Sequence, residues 1–505
     1  MKIRLNIFVL ICGMLLSSCF DDKGNYDYKI PATQILEIDL GQTGTFQAVM
    51  GESIKIYPKL TYSNEQDTNR FDFEWRMSGE LYSTDRELEY FGKAIGSEWG
   101  IFSVIDRETG MRKDKQFVIA VSSIFSNGWT ILTKDGNQSQ ISMVISKYVN
   151  GAYEYTPYRD VFYNNGEEMG SDPVKLENHT PEILVIQHGG RGAVELSGNT
   201  LSPVVFLEDE FLNGQVPENF VPIDAYYNTN VNILLSQDGQ LYMRYSGVAN
   251  HVAPYNNEPM NMNIGGKSSH VSRLIKPRAG FWPDQILVHD SKNNRLLCLA
   301  TNSYVTGGSF QDIPDGDYNY PTPYTKLSDM GTMELVYATG TMPGAGGMGY
   351  FMVLKDPQAQ TYYCQRFNIT QNAATDVFTL TATQARVGFE RGDAVLTEKS
   401  QFVYFPTNGY VLFTAGAAND QLYFYNSTAP LIAAKLVKGF EGIEIKALRI
   451  ENLISVSKVG LGLGNGDFVL IDVPYNFHTN VVYNELCRFN FGEIADVCHK
   501  PNYFQ

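Results

Sequence analysis

Seven times along this chain an apolar run of strand length meets a tight polar turn. The clearest two are Trp129-Thr130-Ile131-Leu132-Thr133-Lys134-Asp135-Gly136 and Asn232-Ile233-Leu234-Leu235-Ser236-Gln237-Asp238-Gly239. An Asp-Gly pair behind an apolar run is a strong hairpin signal, because a two-residue turn needs positions that tolerate positive φ. In the second case Gln240-Leu241-Tyr242-Met243-Arg244-Tyr245 returns as a strand. Weaker copies begin near Ile183, Ile286, Tyr350, Tyr410 and Lys458, with turns at Gly189-Gly190, Ser291–Asn294, Asp356-Pro357, Ala418–Asp420 and Asn465–Asp467. Successive starts lie 54, 49, 54, 64, 60 and 48 residues apart, the length of a four-stranded blade with generous loops. A single blade cannot bury both of its faces, so neighbours must stack around an axis and close a ring. Residues 123–505 are therefore expected to form a β-propeller, with seven blades. Two or three β-sandwiches in series are the rival, but they call for linkers, and no Pro/Ser-rich linker is found. With 31 Tyr, 29 Phe and 45 Gly the composition is that of a β-rich, turn-rich chain, which excludes disorder, collagen and coiled coil.

Residues 28–122 read as a separate all-β unit. Phe71, Phe73, Trp75 and Met77 alternate with Asp72, Glu74 and Arg76, the period of a half-buried strand with a tryptophan on its core face. Ser53–Tyr57 alternates likewise. Trp99–Asp106 runs into the turn Arg107-Glu108-Thr109-Gly110, and Phe117–Val121 follows. Strand, acidic turn and final strand in this order resemble the PKD-like immunoglobulin sandwich.

The amino terminus reads as an address. Lys2 and Arg4 precede the apolar run Leu5–Leu16, too short to span a membrane and suited to a signal-peptide core. It ends in Leu16-Ser17-Ser18-Cys19, which resembles the bacterial lipobox; the resemblance implies cleavage after residue 18 and lipid attachment at Cys19. Asp21-Asp22 directly behind that cysteine, within the tether 19–27, resembles the surface-export signal of Bacteroidetes lipoproteins. Tether and sandwich together are similar to the PKD-like lipoproteins encoded beside SusC/SusD-type transporter pairs. That resemblance implies a lipid-anchored protein of the outer membrane facing the cell exterior, with the SusC/SusD pair as partner and a glycan or oligopeptide as cargo.

Charge agrees with a membrane contact made only through the anchor. The net charge is −16, and loss of Lys2 and Arg4 with the leader makes it −18. Such a chain gains nothing from counterion release on a phosphate backbone, so nucleic acid is disfavoured, and anionic headgroups repel it. The remaining cysteines are Cys298, Cys364, Cys487 and Cys498. Without a C-x-x-C pair they argue against a thiolate zinc site. Only Cys487 and Cys498 lie near enough in sequence for a hairpin to bring them within bridging distance.

Chemistry-bearing motifs are weak. Gly344-Ala345-Gly346-Gly347-Met348-Gly349 has dinucleotide-loop spacing, but a strand-like segment follows it where a helix is needed. Gly265-Gly266-Lys267-Ser268 lacks the leading glycine of a phosphate loop, since Asn261 stands there. Gly460, Gly462 and Gly464 alternate along one strand and suggest close packing. The seven histidines, His179, His188, His251, His270, His289, His478 and His499, form no H-E-x-x-H pair, and there is no G-x-S-x-G elbow. No residue is assigned a catalytic role and no cofactor is called for. The weak metal candidate is Asp312, Asp315 and Asp317 at a glycine turn, which lacks the closing glutamate of a calcium loop. Tyrosines on loops suit ligand capture, offering a flat apolar face with a polar rim; Tyr318, Tyr320, Tyr324, Tyr226 and Tyr227 are the candidates. The reading is a non-catalytic binding or docking subunit. The alternative is a propeller lyase or hydrolase with its site at the central channel mouth, which requires convergent acidic, basic or histidine side chains there.

Overall fold

The computed structural model describes residues 33–501 except 42–43, 64–67, 163–165, 229–230, 247–250, 252, 278–284, 300–308, 314, 316–318, 343–346, 373–377, 382–383 and 452–456. Cys19, the leader and the acidic tether lie outside the described residues. The chain divides into two compact units, Met1–Ser122 and Ser123–Gln505.

In the first unit the long strand Gly96–Asp106 is the centre of a five-stranded sheet. It pairs with Phe71–Met77 on one side and with Arg112–Ser122 on the other, and Thr45–Val49 adds in parallel to the latter. Ser53–Ile56 pairs with Leu88–Phe91, and Ile35–Asp39 with Lys59–Tyr62. The alternation in Phe71–Met77 does what its period requires: Phe71, Trp75 and Met77 are buried, and the Trp75 ring packs on Phe102 and Phe117 at 4.2 and 5.4 Å. The turn after this strand pair is clamped by a buried ion pair, Arg70 Nη2 to Asp106 Oδ2 at 2.5 Å. Burial by itself would raise the Asp106 carboxyl. Hydrogen bonds from Thr109, the Glu108 N–H and Arg70 outweigh it and hold the group below its ordinary value.

The second unit is a succession of antiparallel sheets of three or more strands, seven among the described residues, that follow one another along the chain. The second is Pro173–His179, Glu182–Gln187, Val194–Leu196 and Pro203–Phe206; the third, Pro222–Tyr227, Val231–Ser236 and Leu241–Tyr245. The fourth opens with Val271–Ile275, the fifth with Glu334–Gly340, the sixth with Phe402–Phe405 and the seventh with Ile445–Ile450. The first sheet is built from both ends of the unit. Gly128–Asp135, Gln138–Val149 and Ala152–Tyr158 come from its start, and Glu493–Lys500 completes the sheet by pairing with Gly128–Asp135. Each apolar run singled out in the sequence is the second strand of its own sheet, and each turn leads to the third.

Those second strands read as continuous apolar runs because they are covered on both faces. Ile183 and Val185 pack toward the first sheet, while Leu184 and Ile186 on the same strand pack toward the third. Every pair of consecutive sheets shares such an apolar seam. The last seam joins the seventh sheet to the first through Trp129, Ile131, Ala447, Phe468, Leu470 and Val497. A ring of blades buried face to face is the β-propeller architecture, and the closing strand removes the free edge the ring would otherwise have. At this last seam a Cβ on Gly460 would stand 2.5 Å from the Trp129 ring and one on Gly462 2.7 Å from Ile494, so the alternating glycines are where the two sheets come closest.

Cys487 and Cys498 are both free, as are Cys298 and Cys364. No hairpin joins the first two. Cys487 lies on the fourth strand of the seventh sheet, whereas Cys498 lies on the first strand of the first, because the chain crosses between sheets here. Among the described residues no helix is long and apolar enough to cross a membrane.

Two measurements test the closure. Gly460→Val should lower the thermal midpoint, by overpacking worth about 1–3 kcal/mol, whereas the same change at Gly439, where a Cβ meets nothing within 4 Å, should cost less. His499, on the closing strand, is held down to about 3, chiefly by burial and then by Lys458 and Lys500. Its folded value lies below the unfolded 6.5, so between the two the unfolded chain takes the proton that the folded chain refuses. Stability should therefore fall as pH drops from about 6.5 toward 3, by a few kcal/mol. Denaturation midpoints across that window should flatten in His499→Phe.

Candidate functional site

The first strands of the sheets differ from the second strands in being polar. They touch one another in turn: Glu493–Lys500 contacts Pro173–His179, which contacts Pro222–Tyr227, and that in turn contacts Val271–Ile275. These strands line the axis and carry Lys175, Glu177, Asp224, Arg273, Arg449 and Asp496, with Lys276 directly after the fourth sheet's first strand. Lys175 Nζ meets Glu177 Oε1 at 2.7 Å and Asp224 Oδ1 at 2.6 Å; Lys276 Nζ meets the same two oxygens at 2.7 Å each. Lys276 of the fourth sheet thus reaches Glu177 of the second, past the third, which is possible only across the interior of the ring. Arg449 Nη2 pairs with Asp496 Oδ2 at 2.9 Å, and that oxygen also accepts the Leu176 N–H at 3.0 Å.

Burial by itself would push the Asp224 carboxyl up. Lys175 and then Lys276 outweigh burial and hold it well below the usual carboxylate range. Burial likewise opposes the charge on Lys175, but Asp224 and Glu177 raise its ammonium above the ordinary lysine value. These groups keep their charges at any physiological pH. None of this pair is poised to give or take a proton, as a general acid or base must be.

At the end of the ring where the first strands begin, the axis opens into a cleft of ≈ 450 Å³. Lys134, Lys399, Gln401, Asn419, Glu444, Lys446 and Glu493 supply its polar lining, with Pro173, Val174, Ile445, Ile494 and Ala495 between them. Lys399 pairs with Glu444 at 2.8 Å, and Lys446 with Glu493 at 3.6 Å. No histidine, cysteine, serine or tyrosine belongs to that lining.

The tyrosines expected to meet ligand lie elsewhere. Tyr226 is buried in the seam between the third and fourth sheets. Tyr227 stacks on His179, and its hydroxyl donates to Glu195 Oε1 at 3.2 Å. Tyr320 and Tyr324 are half-buried and stack on each other at 4.4 Å. Tyr318 and Asp317 lie outside the described residues. Asp312 pairs with Arg295 at 2.6 Å. Asp315 is buried and accepts the Leu327 and Ser328 N–H groups at 2.6 and 2.8 Å, so its oxygens hold a loop together. Of the glycine motifs, Gly265-Gly266 is the turn of the short ribbon Asn263–Ile264 and Lys267–Ser268. Of the run at 344–349, residues 344–346 lie outside the described residues, and Met348 and Gly349 already belong to strand Met348–Asp356, where a dinucleotide would need a helix.

The chain also assembles a set of side chains that sequence reading left scattered. His179, Glu182, Glu195 and His251 each offer one ligand atom, all within 4.8 Å of one another. His179 ends the second sheet's first strand, Glu182 opens its second, Glu195 sits in its third, and His251 follows the third sheet. Burial opposes charge on His251, but hydrogen bonds to Glu182 and Glu210 raise it to about 10. Only the His179–Glu182 spacing across a hairpin was open to reading from sequence.

The PKD-like family model matches residues 19–173, which takes in the whole described part of the first unit and the strands through Ala152–Tyr158. No curated protein matches the sequence. Among solved structures, the chain is similar to the periplasmic gluconolactonase of Pseudomonas aeruginosa, with 10% identity, 74% of this chain and 98% of that one covered, and a TM-score of 0.46. It is similar also to a quinoprotein alcohol dehydrogenase-like protein of Bacteroides thetaiotaomicron, with 11% identity, 93% and 99% covered and a TM-score of 0.37. The β-propeller domain of Nup133 from Vanderwaltozyma polyspora gives 9% identity, 72% and 94% covered and a TM-score of 0.34. Similarities at this level say nothing of activity.

Lys175→Met should leave Glu177 and Asp224 sharing one ammonium and lower unfolding free energy by about 2 kcal/mol. That is below the ~3–5 kcal/mol of a fully dry pair, because water reaches this axis. Adding Asp224→Leu should recover part of the loss in urea titrations.

Proposed function

We propose that this chain is a surface-exposed outer-membrane lipoprotein, anchored through Cys19, that serves as a non-catalytic accessory subunit of a SusCD-type nutrient-uptake system. Its propeller takes a polar glycan or oligopeptide at the axial cleft, or docks there on the transporter pair. The observation that carries the binding role is the cleft itself: three lysines face an opening on a chain whose net charge is −16, beside amide side chains able to donate and accept. Each of those lysines is paired with a carboxylate, Lys134 with Asp172, Lys399 with Glu444 and Lys446 with Glu493, so an anionic group of a ligand would exchange with those partners. The non-catalytic reading rests on the charge state of the axis, where Asp224 and Lys175 are locked in opposite charges by each other. The lipid anchor and the partners rest on the resemblance of the leader and tether; the PKD-like match over residues 19–173 supports the resemblance to the PKD-like family alone.

A mild-detergent pull-down of the tagged lipoprotein from outer membranes tests the partner. A TonB-dependent transporter and its SusD-like lid should come down in near-equal amounts; recovery of the protein alone would remove the docking role. For the cleft, Lys399→Glu with Lys446→Glu should weaken retention on an acidic polysaccharide about tenfold, or ~1.4 kcal/mol, at low salt. Cleavage of that polysaccharide by the unaltered protein would count instead for a propeller hydrolase or lyase.

A further inference from the structure

The seven-residue strand Pro173–His179 begins at the axial cleft and ends at a second and separate constellation between the second and third sheets. We propose that His179, Glu182, Glu195 and His251 form a closed two-nitrogen, two-oxygen site for one divalent transition-metal ion, zinc by its donor set, which staples the second sheet to the third.

The distances are those of a shell that can close on an ion. Four ligand atoms around zinc at ordinary bond lengths stand about 3.3 Å apart. Here Glu182 Oε2 is 2.8 Å from His251 Nε2 and 3.7 Å from His179 Nδ1, and Glu195 Oε2 is hydrogen-bonded to His179 Nδ1. All four ligand atoms lie within 4.8 Å of one another, so small side-chain rotations suffice. Two imidazoles with two carboxylates suit zinc better than magnesium or calcium, which prefer oxygen throughout. Four protein ligands leave no open position, the mark of a structural rather than a catalytic centre.

The surroundings are built as metal sites usually are, with outer partners orienting the ligands. The His179 ring is stacked face to face on Tyr227 at 3.8 Å. The second oxygen of Glu195 accepts the Tyr227 hydroxyl at 3.2 Å and lies 3.8 Å from Arg244 Nη2. Glu210 accepts from His251 Nδ1 at 2.5 Å and is paired with Arg244 through the same oxygen, Oε1; its other oxygen is buried without a donor. Glu195 and Glu210 thus share the Arg244 guanidinium in a largely dry pocket, while Glu182 is held against the His251 ring. Glu195 and His179 are buried, whereas Glu182 and His251 are partly exposed and form the entry side.

The test uses the whole chain purified with a tag that contains no histidine. Stripped with a chelator and titrated with Zn²⁺, it should take up one equivalent and gain several degrees in thermal midpoint. Glu182→Gln with His251→Gln, chosen on the exposed side so that the fold survives, should bind at least about 100-fold more weakly, with an unchanged circular dichroism spectrum. No stoichiometric uptake by the unaltered protein, or uptake undiminished in the double variant, overturns the proposal. A zinc K-edge spectrum of the loaded protein decides the matter independently of any variant. Two imidazoles in a four-donor shell near 2.0–2.1 Å support the site, and a shell without imidazole overturns it.

Discussion

The pairing of Glu493–Lys500 with Gly128–Asp135 is the interaction on which the rest of the second unit depends. Each sheet is apolar on both faces, so a row of them is stable only if the last has a neighbour. The carboxyl-terminal strand supplies it by entering the first sheet, and the seam of Trp129, Phe468 and Val497 then seals the seventh sheet to the first. Residues more than three hundred positions apart become hydrogen-bonded, as with Asn178 and the His499 carbonyl at 2.8 Å. The glycines at 460 and 462 serve the same closure, since a larger side chain there would hold the two sheets apart.

Closure also creates the axis. Once the first strands face one another, their polar side chains are drawn into a space that burial would make costly. The ring answers by matching charges: Lys175 and Lys276 each bridge Glu177 and Asp224, while Arg449 is paired to Asp496. Complementary charge makes such an interior tolerable, and it fixes the protonation of every partner whose value is displaced. The same polar strands begin at the cleft, so the surface offered to a ligand continues the chemistry of the axis. Aromatic rings, by contrast, are used between sheets, where both faces are covered.

Much of the architecture was legible because its signals are local. Ile183–Ile186, Asn232–Leu235 and Tyr410–Phe413 announce themselves as strands by apolar runs, and Asp238-Gly239 announces its hairpin by turn chemistry. The alternation through Phe71–Met77 marked a core strand of the first unit for the same reason. Tyr226 shows where local reading stops. Its neighbours look like a loop cluster, Tyr226-Tyr227-Asn228, yet a strand runs through it, and its pleat sends one ring into a seam and the next onto His179. Cys487 and Cys498 are near in sequence but belong to different sheets, since the chain leaves an outer strand and crosses to the axis between them.

By itself, then, the sequence determined which segments are strands, where the hairpins turn, and that successive hairpins must stack, because backbone period and turn conformation depend on residues within a few positions of one another. Only the tertiary structure decided that the last strand completes the first sheet, that Lys276 reaches Glu177 across the ring, and that His179, Glu195 and His251 face one another. Those contacts join residues whose separation along the chain carries no period, and they are set by the packing of whole sheets.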